Sequence, residues 1–78
     1  MKELIELIAR SLVNHPEEVQ VIQRTSAGKV HLELKVSKDD MGCVIGKNGK
    51  VANAMRVLLR VAAATEGKQA TLDVMEPK

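Results

Sequence analysis

Phenylalanine, tyrosine and tryptophan are absent from the 78 residues. The core must therefore be aliphatic, built from Leu, Ile, Val, Ala and Met. The same absence excludes base stacking on aromatic rings, by which RRM-type sheets and OB grooves hold single strands. The lone cysteine, Cys43, excludes an internal disulfide framework and the usual multi-cysteine zinc site. Neither His15 nor His31 stands at a ligand spacing from it, so no metal or cofactor is expected. No apolar run approaches the ~20 residues that span a bilayer. Met1-Lys2-Glu3 carries an acid early, and Glu6 and Arg10 interrupt the apolar pattern, so the start does not read as a signal peptide. The expectation is a soluble cytoplasmic protein in a reducing compartment, with no membrane insertion.

The length fits one small domain, residues 1–78. A chain this short buries only about 60–65% of its unfolded surface, so its stability is marginal. At 45% hydrophobic residues it is too apolar for intrinsic disorder. Its charge is unevenly spread. Six basic and seven acidic residues nearly cancel over residues 1–40, whereas residues 41–60 hold Lys47, Lys50, Arg56 and Arg60 and no acid. The charge alone fits either a polyanion footprint or an ordinary solvated helix face.

Leu4, Ile5, Ile8, Leu12 and Val13 recur at helical spacing, which predicts a helix over residues 2–14. Pro16 ends it by disfavouring helical geometry in the residue before. Residues 19–24 form a strand candidate, followed by the turn Thr25-Ser26-Ala27-Gly28-Lys29, with Gly28 free to take positive φ. Val30, Leu32, Leu34 and Val36 alternate with polar residues, giving the second half of a hairpin. Ser37 reads as a cap for a short helix, with Asp39 and Asp40 complementing its dipole. Gly46-Lys47-Asn48-Gly49 is a loop, residues 50–66 form the longest helix, and Gly67 stops it. Ala70, Leu72 and Val74 mark a last strand, and Pro77 and Lys78 a frayed end. The crossover of about thirty residues between the last two strands fits a parallel pairing. The expected fold is α+β: a three-stranded mixed sheet with helices on one face, in the order α-β-β-α-α-β.

The sharpest local pattern is Val44-Ile45-Gly46-Lys47-Asn48-Gly49-Lys50. A bare G-x-x-G is weak, but this one lies between two helices. Unpaired backbone N–H groups at the start of the second helix point outward, glycines allow close approach, and anions favour that end of a helix. Lys47 and Lys50 add mobile positive charge. A Walker loop is excluded, because Gly42 and Gly46 enclose three residues and Lys47 precedes Asn48. The dinucleotide fingerprint is excluded by Val44.

This stretch resembles the core signature of the KH domain, and the element order resembles its type II arrangement. A chain that is one such domain resembles the small bacterial single-KH proteins of the KhpA family. The resemblance implies a groove that clamps about four single-stranded nucleotides, with the G-x-x-G loop against the RNA backbone. Carried over residue by residue, it assigns that role to Ile45, Gly46, Lys47, Asn48, Gly49 and Lys50. It further implies an RNA-binding protein or RNA chaperone linked to cell elongation and division, acting with a larger KH-containing partner. One departure is Ala52, where KH domains usually carry a bulky aliphatic residue. A shallower groove floor is expected there.

On a helical wheel, Asn53, Arg56 and Arg60 fall in one stripe with Lys50 at its edge. The arginines either extend the phosphate track or serve solubility, Arg60 reading as a solubility residue and Arg56 fitting both. Asn53 and Arg56 are counted with the RNA-binding residues. Val51, Met55, Leu59 and Ala62 centre on the face assigned to the sheet. Ala54, Val57, Leu58 and Val61 lie to one side of it, on a face that the first helix either covers or leaves as an apolar patch. If exposed, that face predicts a homodimer, or a heterodimer with another KH protein. Cys43 reads as a small buried residue and His31 as solvated. Asp39 and Asp40 are better caps than catalytic carboxylates, and no nucleophile–base pair points to an enzyme. Two functional readings stand: an RNA-binding module, or a protein-interaction subunit whose loop is structural only.

Overall fold

The computed structural model describes residues 1–75, so the expected frayed end at Pro77 and Lys78 lies outside the described residues. Helix α1 spans Lys2–Leu12, strands β1 and β2 span Gln20–Ser26 and Lys29–Lys35, and helix α2 spans Met41–Ile45. Helix α3 spans Lys50–Thr65 and strand β3 Gln69–Met75. The sheet order is β1-β2-β3, with β1 antiparallel and β3 parallel to β2. The expected α+β architecture is therefore the one observed.

The strand alternation places Val21, Val30, Leu32, Leu34, Ala70 and Leu72 on one face of the sheet, all buried. Ile5 and Ala9 of α1, Val44 of α2, and Met55, Leu59 and Ala63 of α3 close the core over them. His31 and Glu33 lie on the opposite, open face. His31 is half-buried there rather than fully solvated. It stands opposite Thr71 in the register, its Nδ1 lies 2.6 Å from Thr71 Oγ1, and its Nε2 lies 3.3 Å from Asp73.

Several boundaries differ from the sequence reading, each for a physical reason. Helix α1 stops at Leu12, not at residue 14, because Val13 is already extended at φ −95° and ψ 162°. The next backbone N–H groups, of Asn14 and His15, donate to the two carboxylate oxygens of Asp40 at 3.1 and 2.9 Å. A single 3-10 turn at Pro16–Glu18 then leads into β1. The hairpin turn is only Ala27-Gly28, at φ 49° and 78°, so β1 runs on to Ser26 and β2 begins one residue earlier than predicted, at Lys29. Two left-handed residues match the right-handed strand twist, as in a type I′ turn.

Ser37 precedes a 3-10 turn at Lys38–Asp40 but makes no side-chain cap. Its hydroxyl lies 3.5 Å from His15 Nδ1 instead. Asp40 is not a solvated dipole partner either, being 0% exposed. The α3 core face is Ala52, Met55, Leu59 and Ala63, with Val51 and Ala62 only half-buried. The wheel weighs apolarity, whereas the small Ala52 and Ala63 let the helix approach its neighbours closely. Gly67 ends α3 as expected, at φ 68°, with Lys68 N–H donating to Ala63 O at 2.9 Å.

Candidate nucleic-acid interface

Three of the four residues in the loop between α2 and α3 have positive φ. Gly46 sits at φ 74° and ψ 174°, Asn48 at φ 58°, and Gly49 at φ 74°. Asparagine is among the few side chains that tolerate this region. Gly46 is obligatory for a second reason. A Cβ there would overlap the Val51 side chain and lie 2.9 Å from the Val51 backbone nitrogen. The loop is braced by Gly46 N–H donating to Gly42 O at 2.9 Å and Gly49 N–H donating to Gly46 O at 3.2 Å.

That bracing presents Lys47, Asn48 and Lys50 to solvent, with Ile45 36% exposed at the end of α2. Gly49, the residue before α3, supplies no side-chain cap. The first N–H groups of a helix without such a cap are available to an anion. Among the described residues, no carboxylate lies within ion-pair distance of Lys47, Lys50 or Arg60. Within the described residues that positive charge is therefore uncompensated.

Asn53 and Arg56 connect this loop to the sheet. Asn53 lies one turn into α3, close beneath Gly49, and its Oδ1 accepts from Arg56 at 3.0 Å. Arg56 Nε donates to Leu72 O at 3.1 Å. Strand β3 is one of the two edge strands of the sheet, so its outward backbone groups lack strand partners. Arg56 takes one of them and ties the helix to the strand. Between the two lies a cavity of about 230 Å³, lined by Arg56, Leu59, Arg60, Ala70, Thr71 and Leu72. An apolar floor beside guanidinium groups can receive a base and neutralise its phosphate.

The predicted loop residues, Asn53 and Arg56 thus adjoin one another around the first turns of α3. Arg60, read from sequence as a solubility residue, lies on the rim of the same groove. Its helical stripe was a usable signal. The β3 contribution had none, because it depends on where the strand docks. Ala52 is buried at 4% exposure and does not line this cavity, whose apolar lining is Leu59, Ala70 and Leu72. Cys43 is half-buried. Ala54, Val57, Leu58 and Val61 are exposed on a different side of α3, so α1 leaves that face uncovered.

Away from the groove, the Asp40 carboxylate also meets His15 Nδ1 at 3.0 Å. The hydrogen bond to Asp40 holds the His15 pKa above its ordinary value. Burial pushes the Asp40 pKa up, but the Asn14 N–H, the His15 ring and the His15 N–H together outweigh it and lower the pKa. No group of three or more His, Cys, Asp or Glu among the described residues is placed to hold a metal. No helix among them is long and apolar enough to cross a membrane.

The chain matches the family model described as KhpA/KhpB, KH domain, over residues 2–74. It is 47% identical over 75 residues to the RNA-binding protein KhpA of Clostridium acetobutylicum, a match covering 96% of this chain and 100% of that protein. The RNA-binding protein KhpA of Clostridium perfringens matches to the same extent. That of Halalkalibacterium halodurans is 42% identical over 76 residues, covering 97% of this chain and 100% of the relative. With the α-β-β-α-α-β order, the left-handed G-x-x-G loop and full-length likeness in agreement, the chain belongs to the KhpA/KhpB KH-domain family.

Proposed function

We propose that the chain acts as one KH domain that binds short single-stranded RNA, with the sugar-phosphate backbone on Gly46–Gly49 and Lys50 and the bases along the α3–β3 groove. The observation that carries this reading is the left-handed loop, which leaves Lys47 and Asn48 exposed beside the uncapped start of α3. The relatives' description as RNA-binding proteins supports it. They are binding proteins rather than enzymes, and so is this chain. Its place is the cytoplasm, as an RNA chaperone linked to cell elongation or division.

The exposed Ala54, Val57, Leu58 and Val61 support a second element of the reading. They form a docking face for a second copy or for a larger KH-containing protein.

The test is the double substitution Lys47→Asp with Asn48→Asp. Both side chains are exposed, so each change should alter stability by about 0.5 kcal/mol or less. RNA binding in gel shifts should be lost, because two new carboxylates face the phosphates. For wild type, three or four phosphate contacts predict a slope of log K on log salt of about −2 to −3. A folded double variant that binds RNA like wild type, or a flat salt response, sinks the loop assignment. The loop would then be structural, in a protein-interaction subunit.

A further inference from the structure

We propose that the groove continues past its apolar floor into a second phosphate subsite, built by Arg60, Lys68 and Gln69. This subsite holds one or two nucleotides beyond the about four that a KH groove takes. The proposal rests on the RNA-binding reading above and extends it.

A second cavity, of about 300 Å³, is lined by Arg60, Lys68, Gln69, Ala70 and Thr71. Arg60, Ala70 and Thr71 line the first cavity as well, so the two form one trough along the outer edge of β3. Among the described residues, no carboxylate lines either part. The base of Lys68 is held from both sides. Its own N–H donates to Ala63 O at 2.9 Å, and the next N–H, of Gln69, donates to Gly28 O at 3.1 Å. Beyond that fixed backbone the Lys68 side chain is exposed, and no carboxylate among the described residues lies within ion-pair distance of it. The nearest acid in the chain, the exposed Glu66, lines neither cavity.

The cations therefore succeed one another: Lys47 and Lys50 at the loop, Arg56 and Arg60 along α3, and Lys68 beyond its end. The sixteen residues of α3 alone span about 24 Å. The track runs past the apolar floor, and it ends in a mobile ammonium suited to a phosphate rather than to a base edge.

The experiment is fluorescence anisotropy with random-sequence oligoribonucleotides of four, six and eight nucleotides. It compares wild type, Lys68→Gln, and Lys35→Gln, which makes the same charge change on the open face of the sheet. Wild type should bind the six-mer about fivefold tighter than the four-mer. Lys68→Gln should reduce that ratio below about twofold and make the six-mer salt slope shallower by about 0.7, as for one lost phosphate contact. Its four-mer affinity and its melting curve should match wild type, and Lys35→Gln should change nothing. The subsite is overturned if Lys68→Gln keeps the wild-type ratio, if it weakens both oligomers equally, or if wild type itself shows no gain with length. In those cases four-mer binding that depends on Lys47 and Asn48 leaves the RNA reading intact. Absence of any RNA binding by wild type overturns both.

Discussion

Gly46 and Gly42 lie four residues apart and make opposite demands on the chain. Gly46 combines a left-handed φ of 74° with a site where a Cβ would strike Val51, side chain and backbone together. Gly42 lies inside α2 and has nothing within 4 Å of where a Cβ would stand. Gly46→Ala should therefore destabilise the protein by about 2 kcal/mol or more, through backbone strain and overlap together. Gly42→Ala should stabilise it by about 0.5–1 kcal/mol, because alanine loses less backbone entropy in a helix. Thermal denaturation of both variants checks this, since about 1 kcal/mol moves the midpoint of so small a domain by about 4–8 °C. A Gly46→Ala protein as stable as wild type would show that the loop can relax away from Val51. The same two features mean that the loop's shape is dictated by a glycine chosen for packing as well as for conformation.

Asp40 acts at the scale of elements, because it joins the end of α1 to the start of α2. Its carboxylate collects the Asn14 and His15 backbone donors and the His15 ring, although Asp40 and His15 are 25 residues apart in sequence. The pH dependence follows from the two directions of shift. His15 binds its proton more tightly in the folded state, so its contribution is full below the ordinary value of 6.5 and fades as pH rises through the raised value. Asp40 holds its charge more tightly in the folded state, so its contribution is full above the ordinary value of 3.8 and fades as pH falls through the lowered value. The contribution of this pair is thus greatest between 3.8 and 6.5. Melting temperatures measured across pH should fall on both sides of that window. His15→Asn should flatten the alkaline side. Asp40→Asn should lower the melting temperature throughout, whereas the exposed Asp39→Asn should leave it nearly unchanged. An alkaline limb that survives His15→Asn would place its origin elsewhere.

For the whole molecule, the faces of α3 define its possible partners. One face enters the core, one borders the groove, and one carries Val57, Leu58 and Val61 at 55%, 49% and 61% exposure. Three large aliphatic side chains exposed together, with small Ala54 beside them, suit close approach of a second helix. A two-fold pair would present two G-x-x-G loops and raise avidity for longer RNA. Leu58→Asp should give a folded monomer, with an unchanged circular dichroism spectrum and half the wild-type mass by light scattering. Wild type that is monomeric at high concentration would refute homodimerisation. An unfolded Leu58→Asp protein is not expected, because half of that side chain already faces solvent.

What the sequence determined by itself is local. Strict alternation in β2, the helical spacing in α1 and α3, and the crossover length were enough to define the mixed sheet and its element order. The candidate loop was legible because Ile45 to Lys50 are contiguous, so their mutual placement needs only backbone conformation. Tertiary structure decided whatever depends on an approach between distant segments. Residues about 25 apart meet at Asp40, which a short-range rule takes for a helix cap. Arg60 looks like a solubility residue until β3 docks beside it and turns its stripe into the rim of a groove. The α3 core face is likewise set by which small residues allow close approach, and periodicity alone does not weigh side-chain size. Local propensity and patterning act through neighbours in the chain. A groove is the space left between elements, and it exists only once they have packed.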